Sequence, residues 1–370
     1  MTTAIPSLPG PGLLPSQTLR GLIDAGVIAG AAPIEPAQLQ PASLDLRLGR
    51  TAYRIRASFL PHPGQSVAER LPGLALHEVD LTNGAVLETG CVYLVPVLEQ
   101  LALPAGVHGL TNPKSSTGRL DVFTRIIVDG APSFDQVPDG YHGPLYAEIC
   151  PQTFPILVRT GSRLAQLRLR NGTPDRGDAL HERLQLAHRL VSSDTADIAD
   201  GVALSVDLAG AADGLIGYRA KRHTGVVDVD VAGAQPVTTF WEPILAEQTG
   251  RTGQLVLDPD QFYILASKEA VHVPPDVAAE MVPFNPLVGE FRVHYAGFFD
   301  PGFGHTPAGG AGSRAVLEVR SHSVPFILED GQIIGRLVYE QMAATPDQLY
   351  GSGMGSHYQA QGLKLSKHFR

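Results

Sequence analysis

Seven residues of this 370-residue chain recur at a single offset of 170. Tyr93, Glu99, Pro104, Val107, Glu148, Pro155 and Gly161 reappear as Tyr263, Glu269, Pro274, Val277, Glu318, Pro325 and Gly331. The surrounding stretches follow: YLVPVLEQLALP from Tyr93 parallels YILASKEAVHVP from Tyr263, and PILVRTGSRLAQL from Pro155 parallels PFILEDGQIIGRL from Pro325. Solenoid units run about 20–50 residues, so a period this long marks a duplicated domain. The chain must therefore adopt a fold that closes within about half its length, twice. One stretch breaks the echo. The first copy carries Lys114-Ser115-Ser116-Thr117-Gly118-Arg119, whereas the second, aligned on the glycine, has Asn285-Pro286-Leu287-Val288-Gly289-Glu290. A charge reversal inside a retained frame indicates that one copy kept a chemical task and the other did not.

The repeating unit reads as mostly β. Glycine and proline are abundant, 40 and 30 residues, as expected for short strands joined by tight turns. Period-2 alternation recurs in Leu44–Leu48, Val226–Val231, Ala315–Val319 and Leu164–Leu169, each a strand signal. Helices are few. One is expected over Gln17–Ala25, capped by Ser16 and stopped by Gly26, and a single turn near Val277–Met281. The polar segment Gln185–Asp200 reads as a boundary, so the domains are expected at 1–200 and 201–370. A flexible hairpin tip is expected at 308–312.

Composition excludes several classes. A net charge of −9 argues against binding a nucleic-acid polymer, although a local anion pocket remains compatible with it. Two cysteines, Cys91 and Cys150, build no disulfide framework. The N-terminus lacks the basic and apolar regions of a signal peptide, and no apolar run reaches membrane-spanning length. A cytoplasmic protein is expected. The thirteen histidines show no metal spacing, and no Cys-x-x-Cys accompanies His181-Glu182, so a zinc deaminase centre is not expected. The Walker, Rossmann and GxSxG patterns are absent.

Three constellations carry chemistry. Hydroxyls, a lysine and an arginine around Gly118 suit phosphate oxygens, or form a solvated turn. Glu148, in the apolar run LYAEIC, is either a general acid/base raised by burial or a solvent-facing strand carboxylate; its recurrence as Glu318 favours an architectural place. The turns Phe134-Asp135…Gly140-Tyr141-His142-Gly143 and Phe299-Asp300-Pro301-Gly302-Phe303-Gly304 are hairpin chemistry that places an aromatic and backbone amides beside a planar base.

Together these residues resemble the dCTP deaminase branch of the dUTPase-like superfamily. QPASLDLRLG from Gln40 is similar to its N-terminal strand motif, and Ser16–Ile28 to the preceding helix. Lys114–Arg119 resembles its phosphate and catalytic loop, Asp135–Glu148 its base-binding hairpin and glutamate strand, and Tyr350 with HYQAQG from His357 its C-terminal lid. The length and the duplication resemble a double-domain form.

The resemblance implies two tandem distorted β-barrel domains, homo-oligomeric assembly (a trimer or related arrangement) and metal-free hydrolysis of dCTP to dUTP and ammonia, with Mg²⁺ carried on the triphosphate and no zinc. It implies Glu148 as the base that activates water, Ser115 and Arg119 as groups that position it and stabilise charge, and Lys114, Ser116, Thr117 and Gly118 around phosphates. Asp135, Tyr141 and Asp300 would hold sugar and base from the hairpins; Tyr350, His357 and Gln361 would come from the lid. Lys114 replaces the family's usual arginine, and the first hairpin has two extra residues. The second copy keeps a cleaner hairpin and Glu318, so a composite site is the alternative, with Glu318 as base; Glu148 is favoured because it shares a repeat with the intact loop. A dUTPase or bifunctional enzyme and a non-catalytic nucleotide sensor are the competing functions.

Overall fold

The computed structural model describes residues 7–193, 195–210, 213–249, 253–283, 291–294, 297–306, 312–321, 323–351 and 362–370. The chain divides into two compact units. Unit 1 comprises Met1–Pro174, Gly225–Ala234 and Met342–Gln348; unit 2 comprises Asp175–Thr224, Gln235–Gln341 and Leu349–Arg370. Strands dominate and helices are few and short, as the alternation and turn chemistry indicated.

Each unit is built from the same sheets. In unit 1, Val107–Pro113, Arg163–Asn171 and Ser43–Arg47 lie side by side in one sheet, and Val122–Val128, His142–Pro151, Val92–Ala102 and Thr51–Ile55 in the other. In unit 2 the matching orders are Val277–Pro283, Ile333–Gln341, Val202–Ser205 and Phe291–His294, Ser313–Ser321, Phe262–Val271, Leu215–Ala220. The unit 2 core takes Leu204, Ala279 and Leu337 from one sheet and Ile216, Leu265 and Leu317 from the other. This is the distorted barrel, twice over, that the resemblance implies.

The echoed residues are mostly structural. The hydroxyls of Tyr93 and Tyr263 accept the N–H groups of Glu88 at 3.2 Å and Asp258 at 3.0 Å. Glu99 accepts from the backbone and guanidinium of Arg47 at 2.8 and 2.7 Å, and Glu269 accepts from the backbone and hydroxyl of Ser205 at 2.8 and 2.6 Å. Gly161 and Gly331 share a left-handed φ of 91° and 79°, which favours glycine. The strand Ser43–Arg47 alternates apolar and charged residues, which suggests a half-exposed strand, yet all five are buried. Its charged face is covered because Arg47 meets Glu99 and Asp45 meets Lys114, in line with buried charges being paired.

Several expectations need correction. The division falls between Pro174 and Asp175 rather than near residue 200. The polar segment begins inside a helix, Asp178–His188, whose Leu180, His181 and Leu184 are buried, and Leu190 and Val191 pack in the unit 2 core. Apolar spacing outweighed the polarity of the segment. Val277–Met281 is part of the strand Val277–Pro283 and not a helical turn. Only Val227–Asp228 of the 226–231 alternation is strand, and it joins unit 1, parallel to Ile156–Val158. The first helix spans Ser16–Asp24 with Pro15, not Ser16, at its N-cap; Gly26, at φ 74°, follows its end. The tip at 308–312 falls almost wholly outside the described residues. Among those residues no helix is long and apolar enough to cross a membrane.

Candidate active site

The loop motif follows directly from a strand. Val107–Pro113 ends at its proline, and Lys114 caps a single helical turn, Ser115–Gly118, with Arg119 closing it. The N–H groups of Thr117 and Gly118 bond to the Lys114 carbonyl at 2.8 and 3.0 Å, and that of Arg119 to Ser115 at 3.1 Å. These donors are thus used within the turn. Ser116, Thr117, Gly118 and Arg119 are buried, while Lys114 and Ser115 are half-buried. Lys114 does not present a bare charge: its ammonium is paired with the buried carboxylate of Asp45. No role for Asp45 was legible in the sequence beyond a carboxylate on the charged face of LDLR.

The turn packs on the strand Val122–Val128, which pairs with the strand of Glu148. Asp135 ties this region together. Its Oδ1 accepts from the Thr111 hydroxyl and the Ile126 N–H, both at 2.8 Å, and its backbone takes φ 61°. Burial pushes its carboxyl up to about 6, against the opposing pull of these hydrogen bonds and of Arg125.

Glu148 is buried, its side chain 2% exposed. Arg125 stands opposite it on the neighbouring strand and donates to Oε1 at 2.6 Å, while Oε2 is buried without a hydrogen-bond partner. Arg125 is the partner of Glu148 that the sequence did not single out; a lone cation in the apolar strand VFTRIIV was the available signal. Tyr141 is buried, and its hydroxyl donates to the Pro144 carbonyl at 2.6 Å. Burial pushes that hydroxyl up to about 12, so its polar atom serves the hairpin.

The remaining candidates lie in unit 2. Asp300 and Glu318 are buried, and Glu318 stands opposite Ile264 and His294 in register, as Glu148 stands opposite Leu94 and Arg125. Tyr350 donates its N–H to Pro301 at 2.8 Å and sets its ring 5.7 Å from Phe303. Lys114, Ser115, Arg119, Asp135 and Glu148 all lie in unit 1, while Asp300, Glu318 and Tyr350 belong to unit 2. His357, Gln361 and the divergent segment 285–290 lie outside the described residues. Among the described residues no group of three or more His, Cys, Asp or Glu is placed to hold a metal ion.

Comparison with known proteins shows the family. Residues 177–369 match the family model of the 2'-deoxycytidine 5'-triphosphate deaminase (DCD), C-terminal domain, and residues 10–173 that of its N-terminal domain. A protein of Corynebacterium kroppenstedtii named dCTP deaminase, dUMP-forming, is 30% identical over 160 residues, which cover 42% of this chain and 80% of that protein. One of the same name from Halobacterium salinarum is 33% identical over 112 residues, 29% of this chain and 53% of that protein. The crystal structure of 2'-deoxycytidine 5'-triphosphate deaminase from Agrobacterium tumefaciens superposes with a TM-score of 0.85 and 59% identity, covering 90% of this chain and 99% of that one. The chain belongs to the 2'-deoxycytidine 5'-triphosphate deaminase family, as an enzyme that carries the family's N-terminal and C-terminal domains in tandem.

Proposed function

We propose that unit 1 holds the chemistry and hydrolyses dCTP at C4 of cytosine, with Glu148 as the base. The observation that carries this is a buried carboxylate with one oxygen fixed by Arg125 and the other left unpartnered. A water at Oε2 would give its proton to Glu148 as its oxygen attacks C4. The carboxyl would return that proton to the amino group, which leaves as ammonia. Ser115 and Arg119 would position the water and stabilise the tetrahedral centre. Lys114 and Ser116 would meet phosphates, Asp135 the sugar or base, and Tyr350, His357 and Gln361 would act from the tail.

Lys114 is already neutralised by Asp45, so a triphosphate entering here would bring its own countercharge; we assign that role to Mg²⁺ held by phosphate oxygens. A homo-oligomer, a trimer or related assembly, in the cytoplasm completes the proposal.

The sequence pointed to dUTP as end product, and the curated relatives bear the words dUMP-forming. Those names favour a second reading, in which pyrophosphate is released as well. Incubation with dCTP, with ammonia and pyrophosphate assayed separately, decides. Ammonia alone means dUTP, equal amounts of both mean dUMP, and neither refutes the deaminase reading. Ammonia release should withstand a zinc chelator used with excess Mg²⁺.

A further inference from the structure

We infer that Arg125 is a positioning residue for the Glu148 carboxylate, holding it in the orientation that keeps Oε2 clear of any protein hydrogen bond and so available to a substrate water. The inference rests on the reading of Glu148 as base. Arg125 and Glu148 face each other on adjacent antiparallel strands. One guanidinium nitrogen donates both to Glu148 Oε1 at 2.6 Å and to the Ser58 hydroxyl at 3.0 Å. The guanidinium carbon lies 3.6 Å from the ring centroid of Phe134 and 4.5 Å from that of Phe123. A planar cation between two aromatic faces has few rotamers left, and stacking of this kind suits arginine and not lysine. Its hydrogen bond therefore fixes the carboxylate plane as well as neutralising its charge. A buried carboxylate without such a partner would have to find another one.

The second repeat differs in sequence at this place: the register position opposite Glu318 is held by His294. Arg125 touches the carboxylate and not the reacting atoms in this scheme, so its removal should act on turnover more than on substrate binding.

The test is the separation of kcat from KM in Arg125→Ala, with and without added guanidinium. A misplaced base costs about 10²-fold in rate, so kcat should fall by that order while KM for dCTP stays within about threefold. Arg125 is 25% exposed along its side chain, so a free guanidinium ion can reach the vacated place. Guanidinium chloride at non-denaturing concentration should restore part of the lost kcat, and the same concentration of sodium chloride should not. Arg125→Lys keeps charge and stem, serves if Arg125→Ala does not fold, and should give an intermediate kcat. Wild-type kcat in the folded variants overturns the inference, as does a loss that tracks melting temperature and is not rescued. Glu148→Gln separates the two claims: retained turnover there sinks the base reading itself, whereas a dead Glu148→Gln beside fully active Arg125 variants sinks this inference alone.

Discussion

Phe369 stands edge-on to Trp241, with ring centroids 5.6 Å apart and planes at 89°. The contact anchors the last residues of the chain in unit 2. Phe240 lies 5.4 Å from the same phenyl ring, and Gln235 exchanges backbone hydrogen bonds with His368 and Arg370 at 3.0 and 2.9 Å. Tyr350 is fixed on the hairpin at Pro301. Tyr350 and the last residues of the chain, on either side of 352–361, are therefore both held in unit 2.

Deleting everything from residue 350 should accordingly damage the fold and not only the lid. Phe369 is half-buried, so Phe369→Ala should destabilise by less than the roughly 3–5 kcal/mol of a fully buried aromatic, about 1–3 kcal/mol. Trp241 is the only tryptophan, so its emission should shift to the red and follow the urea transition. An unchanged midpoint would remove the anchor. His357→Ala and Gln361→Ala test the nucleotide role separately; each should raise KM for dCTP at constant melting temperature.

Glu148→Gln keeps shape but cannot take a proton, and should lower ammonia release by about 10²–10⁴-fold at saturating dCTP. Glu318→Gln should be far milder. The reverse pattern would establish a composite site, and full activity in both would refute the deaminase assignment. Arg119→Ala should lower turnover by about 10²-fold, with Glu290→Ala nearly silent.

Lys114→Ala strands the buried Asp45 carboxylate and should destabilise by about 3–5 kcal/mol, beyond any loss of phosphate contact. Asp45→Asn in the same chain should recover part of that stability. A double-mutant cycle in denaturant measures the coupling. A coupling near zero would mean that Lys114 serves the ligand alone.

Asp135 makes a pH-dependent prediction. Its carboxyl keeps the proton up to about pH 6 when folded, against an ordinary value of 3.8. Between these values the folded state binds more protons, so this group's contribution to stability falls as pH rises through that window. Asp135→Asn cannot ionise, and its amide oxygen can still accept from Thr111 and Ile126. The variant should gain on the wild type between pH 4 and pH 6, by no more than about 3 kcal/mol, and hold that gain above. Parallel stability curves for the two proteins across this range would contradict the assignment.

Much of the architecture was legible because it is written twice. An offset retained at Tyr93, Glu99 and Gly161 reports hydroxyl caps, a carboxylate clamp and a left-handed turn that each barrel requires. The loop stood out because it departs from that frame. Asp45 and Arg125 were not legible, since each gains its meaning from a partner distant in sequence, Lys114 and Glu148 respectively. The unit boundary was misplaced for a related reason. A polar helix with three buried residues resembles a linker until the surface that covers Leu180 and Leu184 is known. Val227 and Asp228 read as a strand, but local alternation does not reveal which sheet receives it.

That strand has a consequence for dividing the chain. Val227–Asp228 adds to the edge of Ile156–Val158, Arg159 grips Asp228 at 2.8 Å with both terminal nitrogens, and Ala343 bonds to Leu13 at 2.8 Å. Sequence encoded after the first repeat is thereby a working part of the first barrel. A gene split at the junction would encode an N-terminal product with an open, aggregation-prone edge. The first barrel is therefore closed by chain that is encoded within the second repeat, and the two repeats are not separable at their junction without opening that edge.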